Sequence, residues 1–234
     1  MRSIKLFSDG ADLASLLEIA KDPRVQGFTT NPTLMRKAGI SDYAAFGRRV
    51  LESIRDRPIS FEVFADEFGE MARQAKLLAA WADNVYVKIP ITNTRGEPSL
   101  PLVRELSLGG VQLNVTAICA LEQVEGTLRA LEGGAPAIVS VFAGRIADTG
   151  RDPVPLMKEA RALCDASKTR AELLWASPRE VLNVVQAEQA GAHIITIPPD
   201  MLKKLDLFGK SLAEYSLETV RMFRADAEAA GYEL

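Results

Sequence analysis

A lysine, Lys88, stands in the run NVYVKIPI (84–91) among valine, tyrosine, isoleucine and proline. An ammonium inside so apolar a strand is costly to desolvate. Two readings are open. The stem can lie along apolar surface while the head reaches water, or the site wants an amine that sheds its proton and attacks a carbonyl. Glu62 sits between Phe61 and Val63 in ISFEVFAD (59–66), so in a strand its side chain points to the opposite face from theirs. A buried carboxylate needs a cation or its proton, which makes Lys88 on the next strand its expected partner. Asp9, at the end of IKLFSD (4–9), is expected to approach the same cluster. Two carboxyls against one amine should titrate as a coupled set, burial pushing Lys88 down and the carboxylates pushing it up. A purely structural ion pair across a protein interior would use the same residues.

The elements that must position these groups are short apolar runs. Besides those already quoted they are GFTTN (27–31), VQLNVTA (111–117), AIVSVFA (137–143), AELLWAS (171–177) and HIITIPP (193–199). Amphipathic helical patterns lie between most of them, such as EFGEMARQAKLLAAWA and LEQVEGTLRALEG. Strand–helix units repeated without a linker or composition break predict an α/β fold, one closed (β/α)8 TIM barrel, with a doubly wound open sheet as the alternative. The tail from Leu207 to Leu234 predicts an additional C-terminal helix, available to cap the barrel or reach a neighbouring subunit. In this fold active sites lie at the C-terminal strand ends. The polar residues there are Asp9, Thr29, Asn31, Glu62, Lys88, Asn114, Thr116, Ser140 and Ser177, with Arg145 just beyond the sixth run. Only HIITIPP ends without one. That concentration favours an enzyme.

Composition narrows the classes. The 28 basic side chains are matched by 31 acidic ones, for a net charge of −3, and no basic block stands out, which argues against nucleic-acid binding. No apolar run approaches the roughly 20 residues of a membrane span, and the start MRSIKLFSDGAD lacks the apolar segment of a secretory signal. A cytoplasmic protein is expected, its two cysteines, Cys119 and Cys164, reduced. Those two cysteines and the one histidine, His193, leave little material for a metal site. His193 opens an apolar strand, where a structural role is expected.

The motifs FSDGAD, GFTTNPTL, FEV, VYVKIP, LNVTAI, SVFAGRIADTG and WASPRE resemble, in order, those of transaldolases, from about Asp9 to Pro198. The length is similar to the short subfamily that also includes fructose-6-phosphate aldolases. The resemblance implies that Lys88 forms a Schiff base with a ketose phosphate, that Asp9 is the general acid/base of C–C cleavage, and that Glu62 and Thr116 hold an assisting water. It implies that Asn31, Asn114 and Ser140 bind the hydroxyls of a dihydroxyacetone unit, with Thr29 lining the pocket, and that Arg145, Ser177 and Arg179 hold a distal phosphate. Its partners would be small sugar phosphates. No metal or organic cofactor is called for, and relatives of this length often assemble as pentamers or decamers.

SPRE has a second reading, as a helix start with Ser177 at the N-cap, Pro178 next and Glu180 closing a capping box. The two roles are compatible, since a helix N-terminus attracts anions and Arg179 can add a charge-assisted fork.

The chain also departs from the family pattern. Gly10 follows Asp9 where threonine is usual, and NVTAIC has alanine after Thr116 where leucine is commoner. Trp175 and Tyr86 stand where smaller residues are common. Alternation along LLWASP points Trp175 the same way as Ser177, into the barrel, where with Tyr86 it would either repack the core or narrow the pocket and select the substrate. Glu62 and Phe142 are the transaldolase forms of positions at which the aldolase subgroup carries glutamine and tyrosine. The competing expectations are an aldolase that releases dihydroxyacetone and a non-catalytic sugar-phosphate-binding barrel.

Overall fold

A computed structural model describes residues 4–233. The first half of the chain runs β1 (Lys5–Asp9), α1 (Leu13–Ile19), β2 (Val25–Thr29), α2 (Pro32–Lys37), α3 (Tyr43–Ser53), β3 (Ile59–Glu62), α4 (Phe68–Ala79), β4 (Val85–Pro90) and α5 (Leu100–Leu108). It continues with β5 (Leu113–Ile118), α6 (Leu121–Leu131), β6 (Ala137–Val141), α7 (Ala143–Asp148), α8 (Pro153–Ala166) and β7 (Ala171–Trp175). Last come α9 (Leu182–Gln189), β8 (Ile194–Ile197), α10 (Pro199–Lys204) and α11 (Leu212–Ala230). The eight strands close as a parallel barrel in sequence order, a (β/α)8 TIM barrel with a C-terminal helix. No described helix is long and apolar enough to cross a membrane.

Strand register sets up the site. Asp9 pairs with Thr29, Glu62 with Lys88, Lys88 with Asn114 and Pro90 with Thr116. Because side chains alternate between the two faces of a strand, these pairings place Asp9, Thr29, Glu62, Lys88, Asn114 and Thr116 on the inner wall near its C-terminal rim. The layer beneath is apolar, built from Phe7, Ile138, Leu174, Ala176 and Ile194, with Tyr86 and Phe142 packed against it. Gly27 belongs to this layer. A β-carbon there would fall 2.5 Å from the Phe7 ring, so the glycine of GFTT makes room for an aromatic floor.

Two residues with left-handed backbone interrupt the alternation at the rim. Ala117 has φ 63° and Ser177 φ 61°, and the β5–β6 register shifts between Val115 and Ile118. The chain divides into two compact units, Met1–Leu202 with the whole barrel and Lys203–Leu234 with α11. In the second unit the Ser211 side chain accepts from the Glu214 N–H to start α11, and Gly231 ends it with φ 66°.

Candidate active site

The pocket at the C-terminal rim encloses about 410 Å³ and is lined by Asp9, Thr29, Asn31, Glu62, Lys88, Asn114, Thr116, Ser140, Phe142, Arg145 and Ser177, among others. All the strand-end polar residues singled out from the sequence are therefore brought together. A roomier groove of about 540 Å³ lies at Trp81–Asn84, ahead of β4, and holds none of them.

Lys88 is 6% exposed, and its ammonium has two partners. Glu62 Oε2 is 3.0 Å from Nζ, and Nζ donates to the Thr30 carbonyl at 2.9 Å. One neighbour is a charge and the other a neutral acceptor, so the amine is held in place from two strands. Asp9 faces the same amine. Thr29 Oγ1 donates to Asp9 Oδ1 at 2.8 Å, and Thr29 and Thr196 are joined through their hydroxyls at 2.6 Å. With the Thr29 proton committed to Asp9, Thr196 is the donor of that second bond. Burial raises the Asp9 carboxyl above its ordinary range. Lys88 and the Thr29 hydroxyl pull the other way, Glu62 adds to the rise, and burial prevails.

On the opposite wall, Ser140 Oγ donates to Asn114 Oδ1 at 2.6 Å, and Asn114 Nδ2 donates to Ser60 Oγ at 3.0 Å. This fixes which way the Asn114 amide faces. Thr116 Oγ1 is buried in the pocket wall without a protein partner. Asn31 also has a structural role, because its Oδ1 accepts from the Leu34 N–H as the N-cap of α2, with Pro32 in the first turn.

Several expectations need correction. Ser177 does not cap a helix. α9 begins at Leu182, and the side chain that accepts from the Arg179 and Glu180 N–H groups is Asn183. Ser177 is instead the left-handed turn that ends the seventh run, and it still reaches the pocket. Its conformation also explains Trp175. Alternation counted back from Ser177 fails across a left-handed residue, so Leu174 and Ala176 line the pocket while Trp175, fully buried, takes the opposite face. Tyr86 does point inward, but into the apolar layer beneath the pocket. Arg145 lines the mouth, whereas Arg179 is absent from the lining and is held by Asp148, its Nε 2.9 Å from Oδ1. That contact keeps the Asp148 carboxyl below its usual range.

Three contributors are not evident from strand-end polarity. Thr196 is the inward polar residue of HIITIPP, and Ser60 and the Thr30 carbonyl complete the two walls. An inward threonine or serine flanked by apolar neighbours is the available signal for the first two. Among the described residues no three His, Cys, Asp or Glu side chains cluster in a way that could hold a metal.

Residues 6–234 match the family model described as Transaldolase/Fructose-6-phosphate aldolase. The chain belongs to the transaldolase/fructose-6-phosphate aldolase family. Within it, a probable transaldolase 2 of Listeria monocytogenes is 38% identical over 204 residues, 86% of this chain and 88% of that protein. A probable transaldolase of Hyphomonas neptunium is 34% identical over 233 residues, 99% and 100% of the two chains. Among solved structures, a putative deoxyribose-phosphate aldolase from Coccidioides immitis superposes with TM-score 0.58 at 11% identity, covering 85% of this chain and 82% of that one. At that identity the likeness is one of fold. The family assignment is consistent with an enzyme of the aldolase/transaldolase type.

Proposed function

We propose that the protein is a transaldolase that moves a dihydroxyacetone unit from a ketose phosphate to an aldose phosphate through a Schiff base on Lys88. The observation that carries this reading is the buried amine at the pocket floor, held by Glu62 and the Thr30 carbonyl, with Asp9 opposite, its carboxyl raised by burial and so suited to exchange a proton. The neutral amine adds to the ketone carbon, and the carbonyl oxygen leaves as water. Glu62 and the unpartnered Thr116 hydroxyl flank the space in which that water would be handled. Asp9 then takes the proton of the hydroxyl beyond the scissile bond. The C–C electron pair passes into the iminium, the aldose leaves, and a Lys88-bound enamine remains. Attack of the enamine on a second aldose, with Asp9 returning the proton, reverses these steps, and hydrolysis frees the amine. Asn31, Asn114 and Ser140 suit the hydroxyls of the three-carbon unit, and Arg145 at the mouth suits a distal phosphate.

The test is reductive trapping. Borohydride added with a ketose phosphate is expected to fix a three-carbon adduct on Lys88, located by peptide mass mapping. Lys88→Met should bind the sugar and lose turnover. An adduct on another lysine, or none across a panel of ketose phosphates, would sink the Schiff-base reading.

A further inference from the structure

The β2–β3 ladder is interrupted next to the reacting amine. The Thr30 N–H donates to the Ser60 carbonyl at 3.0 Å. Continued as a regular parallel ladder, the next bond would run from the Glu62 N–H to the Thr30 carbonyl. Here that carbonyl accepts from Lys88 Nζ instead, at 2.9 Å. The Glu62 N–H donates to Tyr43 Oη at 2.9 Å, and the Tyr43 hydroxyl donates back to the Glu62 carbonyl at 2.8 Å. One phenol thus serves both backbone groups of the residue that pairs with Lys88.

Tyr43 is placed to do this by its surroundings. It is the first residue of α3, behind the N-cap Asp42. Its ring packs against Phe61, Phe64 and Trp81, with centroids 6.4, 5.5 and 6.1 Å away. Burial pushes its hydroxyl well above the usual phenol range, so it stays a neutral donor and acceptor.

We infer that Tyr43 is a positioning residue for the Lys88–Glu62 pair: it takes over the Glu62 backbone and so leaves the Thr30 carbonyl to the amine. The inference rests on Lys88 as the reacting group. A backbone N–H shut away from water claims an acceptor. Without the phenol oxygen, the acceptor next in the ladder for Glu62 is the Thr30 carbonyl. Closing that bond takes a partner from Lys88 and draws the Glu62 backbone towards β2. The charged groups facing Lys88 are Glu62 from β3 and Asp9 from β1.

The test compares the wild type with Tyr43→Phe, which keeps the ring and loses only the hydroxyl, and with Trp81→Phe, which trims the ring stack and keeps it. Two readouts are taken on the folded enzymes. One is kcat and KM with a ketose phosphate. The other is the pH dependence of reductive methylation of Lys88 by formaldehyde and borohydride, followed by peptide mapping and independent of any sugar. Tyr43→Phe is expected to lower kcat about tenfold, the scale of one lost hydrogen bond, with KM little changed. Its labelling curve should move to lower pH, because the ammonium loses an acceptor. Trp81→Phe should lower the urea midpoint and move neither readout. A labelling curve for Tyr43→Phe that matches wild type, or shifts no more than that of Trp81→Phe, overturns the inference. Failure of wild type to form a sugar adduct counts instead against the Schiff-base function and leaves the labelling comparison readable.

Discussion

The carbonyl oxygen of Ser177 lies 1.5 Å from the point where a β-carbon on Gly144 would stand. The turn after β7 and the first turn of α7 are therefore in backbone contact, and the Gly144 N–H donates to the Ala176 carbonyl at 3.3 Å. This contact sets the spacing between two pocket-lining residues, Ser177 and Arg145. Gly144→Ala meets backbone rather than a side chain able to rotate away. The variant should lose about 1–3 kcal/mol of stability, as overpacked sites do, and KM for a phosphorylated donor should rise as Arg145 shifts. Urea unfolding and steady-state kinetics on the same preparation check both.

The anion site divides unequally between its two arginines. Arg145 lines the pocket, while Arg179 is committed to Asp148. Arg145→Ala should therefore raise KM for a phosphorylated ketose about ten- to hundredfold, as expected for a lost charge-assisted contact of about 1.5–3 kcal/mol. A non-phosphorylated ketose should be almost unaffected. Arg179→Ala should do less on either substrate. A larger effect from Arg179 would mean that it leaves Asp148 when substrate arrives.

Phe142 bears on transfer against release. It lines the pocket and packs on the apolar layer beneath. Phe142→Tyr adds a hydroxyl able to place water or protonate the enamine before an acceptor arrives. Release of free dihydroxyacetone relative to transfer should rise. Fast release by the wild type without an acceptor would argue for the aldolase activity of the same family.

Trp175 is assigned by the structure to packing. Trp175→Ala should cost about 3–5 kcal/mol and preserve the order of preferred donors among folded molecules. Its indole Nε1 is buried without a partner, so Trp175→Phe removes an unsatisfied donor and should cost less than the alanine change. A reordered donor preference with little loss of stability would return Trp175 to the pocket.

The barrel is legible in the sequence because each strand is a short apolar run followed by a helical pattern, and strict alternation picks out the inner polar residues. That rule fails where the backbone departs from a strand. A left-handed Ser177 reverses the parity that would place Trp175 inside, and nothing in WASPRE marks that φ. Asn183 lies too far beyond SPRE to be read as the residue that caps its N–H groups. Thr196 sits among isoleucines that signal burial more strongly than one threonine signals a pocket, although its position matches the inner face. The Thr30 carbonyl and the Tyr43 bridge belong to backbone groups and to a helix remote in sequence, which residue type and spacing do not reveal.

Asp9 couples the chemistry to stability. Its carboxyl is raised by burial, so between the ordinary carboxylate value of 3.8 and its raised value the folded state holds more protons than the unfolded chain. Stability therefore falls as pH rises through that window, and Asp9 is a cost to the fold at neutral pH. Lys88 and the Thr29 hydroxyl reduce that cost and Glu62 increases it, but burial outweighs the favourable pair. Asp9→Asn resembles the protonated acid in shape and can still accept from Thr29. Its urea midpoint should equal or exceed that of the wild type at pH 8, and the advantage should shrink as pH is lowered towards 4. Turnover should be lost across the same range, because an amide cannot take up or return the hydroxyl proton. A variant that is less stable than wild type at pH 8 would show that attraction to Lys88, rather than burial, governs the Asp9 carboxyl.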